Sequence, residues 1–541
     1  MEQFTQEEVE ILKPFFTNMD KSVFVLKNLP EVIKGALFAR YSRSPKSLRK
    51  LLLDEFIRDK KLGFREIVNY QVTQGTDQET AIQKAEEFYD RILIQFGHSS
   101  VAELGGAHIA VEDVSILGTK FIEESRIGLS PLEKSTRYVW FDEKVDGKYK
   151  YYRDIKLMNS KFGEDYVEAC DFLFDTYSKL IKPIQKFVQE RFPQEESVSD
   201  RAYQSTIRAK SCDILRSLLP TSALTNMGVF GNGRAFDYLL TKMNAIPMSE
   251  ARELSQGMFT ELNKVIPSFV KVSAMEYGEE HTQYFSSTQN EIEKLTEQLL
   301  KNKKSDSAQE VELVYYEQDA VDKLVTSILY SNSKLPYKQI MKLVKDMSTQ
   351  EKQKVLKTYV KKRTIRHHRP GRAFEDVYYK FDVLSSFGVY KDLMRHRILT
   401  RHKQLFTFDH GIIKPQEIID SGFEEEFDQA IKLAKNTFEK ISKKYPLEAQ
   451  YLVPHCGKTR FSMTMNLREV FHFVELRSGR EGHPNYRRVS QKMFKEIEKV
   501  QPDLAKLINF VDMSDYGLER LESEKRIDKR IEEVEKKYGG S

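Results

Sequence analysis

Arg395-His396-Arg397 places two fixed positive charges and a titratable ring directly after an apolar helical run, Gly388 to Met394. Burying even one such charge is costly unless an anion meets it. Arginine is also the side chain whose planar fork best fits a phosphate or carboxylate. The triplet therefore has two readings, a solvated basic helix end or an anion-binding corner. The residues before it, Ala373 to Phe381, alternate as a strand does, so a strand should feed the helix that presents the triplet. Other chemistry is sparse. His367-His368-Arg369 has no carboxylate nearby at metal-ligand spacing, so no metal site is expected. There is no Gly-x-Gly-x-x-Gly or Gly-Lys-Ser phosphate loop; Phe230-Gly231-Asn232-Gly233-Arg234 is only a turn-like pair of glycines.

The 541 residues exceed one ordinary domain. Hydrophobic residues make up 40% and charged residues 31%, the balance of a globular chain with ample core material. Lys and Arg number 86 against 81 Asp and Glu, and this dispersed excess of +5 gives no reason to expect a nucleic-acid partner. No apolar run approaches the length that crosses a bilayer, so no membrane partner is expected. The start, Met1-Glu2-Gln3-Phe4, does not read as a secretory signal. Cys170, Cys212 and Cys456 are few, odd in number and far apart, which excludes a cysteine-rich zinc site and points to a reducing cytoplasm.

One order of features occurs twice. Val101-Ala102-Glu103 in the first half answers Ala373-Phe374-Glu375 in the second, and the position twenty residues on is Glu123 in one and Arg395 in the other. Leu219-Pro220 is followed twelve positions after the proline by Asn232-Gly233-Arg234; Val453-Pro454 is followed at the same interval by Asn466-Leu467-Arg468. We read a tandem duplication: a domain over 1–287, a polar linker over 288–311 beginning as an exposed helix, and a domain over 312–541. The positioning elements are mostly helices, expected at Leu48 to Asp59, Asp165 to Phe187, Glu250 to Val270, Phe423 to Ile441 and Tyr486 to Val500. Short strands are expected at Ala107 to Val111, Arg137 to Trp140, Val311 to Tyr316 and Val377 to Val383. The fold class is α+β, helices dominant, with a small sheet in each half.

These motifs resemble the flavin-dependent thymidylate synthases, in which a Phe-Glu-bearing strand start precedes a helix ending in Arg-His-Arg. The resemblance implies that each half copies that fold, that the triplet contacts flavin and nucleotide phosphate, and that FAD is the cofactor. The family follows its triplet with a nucleotide-binding loop, Ser-x-Asn-Glu-x-Ser-x-Arg-Tyr. The second half departs there, with Leu405 and Thr407 in place of serine and arginine. The first half has Glu123-Glu124-Ser125 for the triplet, yet keeps a loop at Ser130 to Tyr138. Its hydroxyls and backbone N–H groups can wrap a phosphate, Arg137 can neutralise it, and Glu133 can accept from a base or ribose. The alternative is that Ser135 to Val139 merely begins a strand.

Each half thus keeps what the other lost. The resemblance assigns flavin contacts to His98, Ser100, Glu103, Arg395, His396, Arg397, Asn232, Arg234, Asn466, Arg468 and His483, although His483 also reads as a surface-loop residue. It assigns substrate contacts to Glu133, Ser135, Thr136, Arg137, Arg216 (Gln450 in the second half) and Arg477, with Arg395, Arg477 and Ser135 at the chemistry. One class of composite site combines Arg395-His396-Arg397 and Arg477 with Ser135, Arg137, Arg216 and His98. The other, built on Glu123-Glu124, should be dead. The family assembles as a homotetramer, so a homodimer of this chain forms the equivalent pseudo-tetramer. The implied reaction is methylation of dUMP to dTMP with methylenetetrahydrofolate and NADPH as co-substrates. A lapsed flavin- or nucleotide-binding protein, and a methylase for a different pyrimidine, are the competing readings.

Overall fold

The computed structural model describes residues 3–58, 101–270, 276–303, 305 and 309–538. The backbone packs as two compact units, Met1–Lys134 with Thr225–Lys303, and Ser135–Leu224 with Lys304–Ser541.

The first unit carries a three-stranded sheet in the order Gly106–Ser115, Leu224–Asn232, Leu129–Glu133. The second carries Tyr378–Ser386, Lys458–Asn466 and Thr400–Lys403 in the same relative order, with Val311–Tyr316 added at the edge beside Tyr378–Ser386. Corresponding strands feed corresponding helices through the same caps. Ser115 accepts from the Gly118 N–H at the start of Ile116–Glu123, and Ser386 accepts from the Val389 N–H at the start of Phe387–Leu393. Asn232 and Asn466 cap Gly233–Asn244 and Leu467–Arg477 in the same way. Each cap satisfies a backbone N–H that the first turn leaves without a partner. Arg234 pairs with Glu103 at 2.9 Å in one unit, and Arg468 with Glu375 at 2.8 Å in the other. Two tandem copies of one α+β fold account for all of these matches.

Strand Lys458–Asn466 alternates buried and half-buried positions, and its inward side chains Phe461, Met463 and Met465 meet Phe381 and Val383 of the neighbouring strand in the core. The two proline motifs lie against each other. Pro220 and Pro454 form an antiparallel bridge; the Thr221 N–H donates to the Val453 carbonyl at 3.0 Å, and the His455 N–H donates to the Leu219 carbonyl at 2.9 Å. Beside them the long helix Gly163–Arg191 packs on Glu424–Ser442. Equivalent segments of the two halves therefore meet inside the second unit, and the packing cuts across the boundaries read from the sequence. Ser135–Leu224 leaves the first half's sheet to pack with the second half.

Other elements differ locally. Arg137 to Trp140 is a turn, not a strand, because the Arg137 side chain is drawn to Asp213. Leu48–Leu51 is α-helical but continues as a wider π-helical stretch, Leu52–Ile57. Arg372–Asp376 is a 3-10 turn, with the strand beginning at Tyr378. Helix Glu276–Leu300 runs through the first part of the expected linker. Among the described residues no helix is long and apolar enough to cross a membrane.

Candidate functional site

Helix Asp200–Leu215 and the turn that continues it, Arg216–Leu218, bring Asp213 and Arg216 to one end of the second unit's sheet. Arg137 grips Asp213 with two hydrogen bonds, Nε to Oδ1 and Nη2 to Oδ2, both 2.7 Å. Its third nitrogen donates to the Tyr486 hydroxyl at 3.4 Å and to the Glu481 carbonyl at 3.3 Å. Arg216 donates through Nη2 to Asp392 at 2.8 Å, and its Nη1 is buried without a hydrogen-bond partner among the described residues. Burial by itself raises both carboxyls. The adjacent guanidiniums outweigh it and hold Asp213 and Asp392 below the usual carboxylate range.

Helix Leu467–Arg477 supplies a second chain of contacts. Arg477 Nε donates to His396 Nε2 at 2.9 Å, and His396 Nδ1 lies 2.6 Å from Glu469 Oε1. Because Nε2 accepts, the His396 proton sits on Nδ1 and is donated to Glu469. Burial, then Arg477, pushes His396 well below its ordinary value, so the ring is neutral. Burial lifts Glu469 to about 7. Among the described residues Arg477 forms no ion pair; its guanidinium stacks 5.7 Å from the Tyr486 ring, where burial lowers its pKa. His396, Glu469 and His472 bring ligand atoms within 4.8 Å of one another, the geometry of a possible metal cluster. Both His396 nitrogens are engaged, however, and Arg369, Arg477 and Arg468 bear on Glu469, so the surroundings repel a cation.

A cavity of about 430 Å³ opens beside these groups, lined by Asp213, Arg216, Ser217, Gly388, His455 and His483 among others. His483 is no surface residue. It caps helix Pro484–Val500 by accepting from the Asn485 N–H, and burial followed by Arg216 brings it to about 3.

The second unit thus gathers Arg137, Arg216, His396, Arg477 and His483, drawn from both halves of the sequence. Ser135 accepts from the Arg137 backbone N–H, and Thr136 is buried next to it. Arg395 and Arg397 are exposed, with no ion pair among the described residues. Asn466 is occupied as a helix cap, and Arg468 is tied to the Pro370 carbonyl and Glu375. Asn232, Arg234, Glu103 and Glu133 belong to the first unit. There Glu133 is buried against Lys120 at 3.3 Å, and Lys120 also holds Glu123. His98 and Ser100 lie outside the described residues. Sequence reasoning missed Asp213, Asp392, His455, Glu469 and Tyr486. Asp213 alone left a signal, an acid three residues before Arg216 on one helical face.

The model of the thymidylate synthase complementing protein family matches residues 58–268 and again 312–503. The chain belongs to that family, the flavin-dependent thymidylate synthases. A UPF0159 protein of Chlamydia pneumoniae is 41% identical over 527 residues, spanning 97% of this chain and 98% of its own. A flavin-dependent thymidylate synthase of Sulfolobus acidocaldarius is 32% identical over 122 residues, 21% of this chain and 46% of that one. Among solved structures, the UMP/dUMP methylase PolB of Streptomyces cacaoi, bound with 5-Br dUMP, is 16% identical, covers 38% of this chain and 95% of its own, and has a TM-score of 0.30. The two matches to the family model are the two copies of the fold described above.

Proposed function

We propose that the composite site of the second unit carries out flavin-dependent reductive methylation at C5 of a uracil ring, with methylenetetrahydrofolate as carbon donor and NADPH as reductant. The observation that carries this reading is Arg477. Its guanidinium is half-buried, aimed by the His396–Glu469 chain, and has no carboxylate partner among the described residues. A cation held in this way stabilises negative charge that develops on a pyrimidine carbonyl as C5 becomes nucleophilic. Tyr486 packs beside both Arg137 and Arg477 and shields this face from water. Cys456 lines the cavity, but burial pushes its thiol pKa up, so it stays protonated and is not prepared as a nucleophile.

Arg395 and Arg397 fit the anionic part of FAD, being exposed cations without ion pairs among the described residues, and Arg395 lies near enough to Arg477 to lower its pKa. Bound there, the flavin supplies the hydride. Anaerobic incubation with FAD, NADPH, methylenetetrahydrofolate and a panel of uracil acceptors, read by mass spectrometry for methyl gain, tests the reaction. We expect Arg477→Ala to abolish product while flavin absorbance is retained. Full flavin occupancy with no methylated acceptor rejects the reading.

The family resemblance implies dUMP as the acceptor. A different pyrimidine is favoured by one observation, the buried pairing of Arg137 and Arg216 with carboxylates. The chain is also proposed to act as a homodimer forming a pseudo-tetramer; a monodisperse monomer carrying flavin in sedimentation velocity refutes that assembly.

A further inference from the structure

We infer that Arg520 supplies the positive charge that receives the phosphate of a uracil nucleotide beside the loop Ser135 to Tyr138. This rests on the uracil-methylation reading and adds to it a binding residue from outside the family's matched region, which ends at residue 503.

The loop carries an arginine of its own, but that arginine is already engaged. Arg137 is held by Asp213 through two bonds of 2.7 Å, and Arg216 is likewise held by Asp392 at 2.8 Å. For either to turn to a phosphate, a buried carboxylate must be left unpaired, which a protein interior strongly resists. Arg520 is under no such constraint. Its guanidinium carbon stands 4.3 Å from the centre of the ring of Tyr138, the residue after Arg137, and it forms no ion pair among the described residues. Glu524, whose charge bears on it, is given to Arg201 at 3.0 Å. The Arg520 Nε is buried with no hydrogen-bond partner among the described residues, while the residue as a whole is only half-buried and so remains accessible. Burial, and then the charge of Arg137, lowers Arg520 to about 10, so it stays charged at neutral pH. Arg137 and Arg520 thus bear on one another with Asp213 to offset the first; an entering dianion offsets the second.

The segment that brings Arg520 here is fixed on both sides of it. Before it, the Asp512 N–H donates to Ser478 Oγ at 2.9 Å, and Arg487 Nη2 donates to the Ser514 carbonyl at 2.7 Å. Gly517 lies so close to Phe192 that a Cβ there would stand 2.4 Å from the ring. Glu519 is held by Lys210 at 3.1 Å. After it, the Arg520 carbonyl accepts the Glu524 N–H at 3.0 Å as helix Leu521–Tyr538 begins, and Arg201 ties that helix down through Glu524 and Asp528. The backbone at Arg520 is therefore set, and its guanidinium is committed only to Tyr138. A cation resting on an aromatic ring uses no hydrogen-bond acceptor, so the terminal N–H groups remain for two oxygens of a phosphate. The Ser135 hydroxyl in the same loop accepts the Arg137 N–H at 3.2 Å and still has its own proton to donate.

The test is calorimetric binding of dUMP and of deoxyuridine to the flavin-loaded full chain. We expect Arg520→Gln to weaken dUMP at least about tenfold and to leave deoxyuridine within about twofold, with flavin occupancy unchanged. Arg520→Lys should recover part of the loss. Lys529→Gln, which removes an exposed charge from the same helix, should change neither. In the unmodified protein, dUMP should protect Arg520 from phenylglyoxal, read by peptide mass spectrometry, and deoxyuridine should not; this arm needs no variant to fold. The inference is overturned, while uracil methylation stands, by unchanged dUMP affinity in Arg520→Gln, by an equal loss for both compounds, or by equal labelling of Arg520 with and without dUMP. If these comparisons come out as expected but no uracil compound gains a methyl group, the methylation reading falls and the nucleotide site stands.

Discussion

Glu469→Gln isolates the carboxyl that anchors the Arg477–His396 chain while keeping an oxygen to accept the Nδ1 proton. Burial raises Glu469 from 4.5 to about 7, against the pull of Arg369 and Arg477. In the unfolded chain the group titrates at its ordinary 4.5. Below that pH both states hold the proton and the burial costs nothing. As pH rises toward 7 the unfolded chain releases its proton and the native state does not, so native stability falls. Above 7 the native carboxyl is also ionised and the loss is complete. The gap between 4.5 and about 7 corresponds to about 3 kcal/mol at roughly 1.4 kcal/mol per pH unit. His396 and His472, both lowered by burial, act in the opposite sense, but they are common to both proteins and drop out of the difference. Trp140 is the single tryptophan and lies in the same unit, so its fluorescence follows the relevant unfolding transition. Urea titrations from about pH 5 to about pH 8 should show the variant gaining on the wild type as pH rises, to a limit of about 3 kcal/mol. A difference that stays constant with pH, or one that favours the wild type at high pH, refutes the assignment of the burial cost to Glu469.

Arg363→Leu strands Glu475, a fully buried carboxylate that Arg363 meets at 2.7 Å through Nη1, and should lower the same transition by about 3–5 kcal/mol. Asn466→Ala removes the cap of helix Leu467–Arg477 and should cost about 1 kcal/mol by the same readout. All three cysteines are buried with their thiols pushed up, Cys170 to about 12, so a thiol reagent should label none of them until the protein unfolds.

Much of the fold was legible because caps and periodicity act locally. Asn232 and Asn466 each precede a helix, and their equal spacing from Leu219-Pro220 and Val453-Pro454 exposed the repeat. The composite site was legible in outline for a different reason. Arg137 and Arg216 survive only in the first half and Arg477 only in the second, so the two sets belong to one place. What the sequence concealed was tertiary. Nothing local distinguishes Asp392, within an apolar helix, from a solvent-facing acid until Arg216 arrives from 176 residues away. Arg137 to Trp140 has strand-like composition, yet the pull of Asp213 on Arg137 overrides it. The division of the chain by packing was hidden too, since no linker composition marks Ser135 or Leu224.

The antiparallel meeting of Leu219-Pro220 with Val453-Pro454 bears on how such a chain can change over generations. In a symmetric assembly of identical subunits, a substitution beside the dyad strikes both sides at once and must be tolerated twice. Here the two sides are separate codons. Arg216 faces Asp392 on one side, whereas its counterpart Gln450 accepts from the Phe406 N–H and donates to the Leu447 carbonyl on the other. One copy is free to become scaffold while the other is refined for a ligand, and joining the halves in one polypeptide guarantees that the unequal partners always occur together.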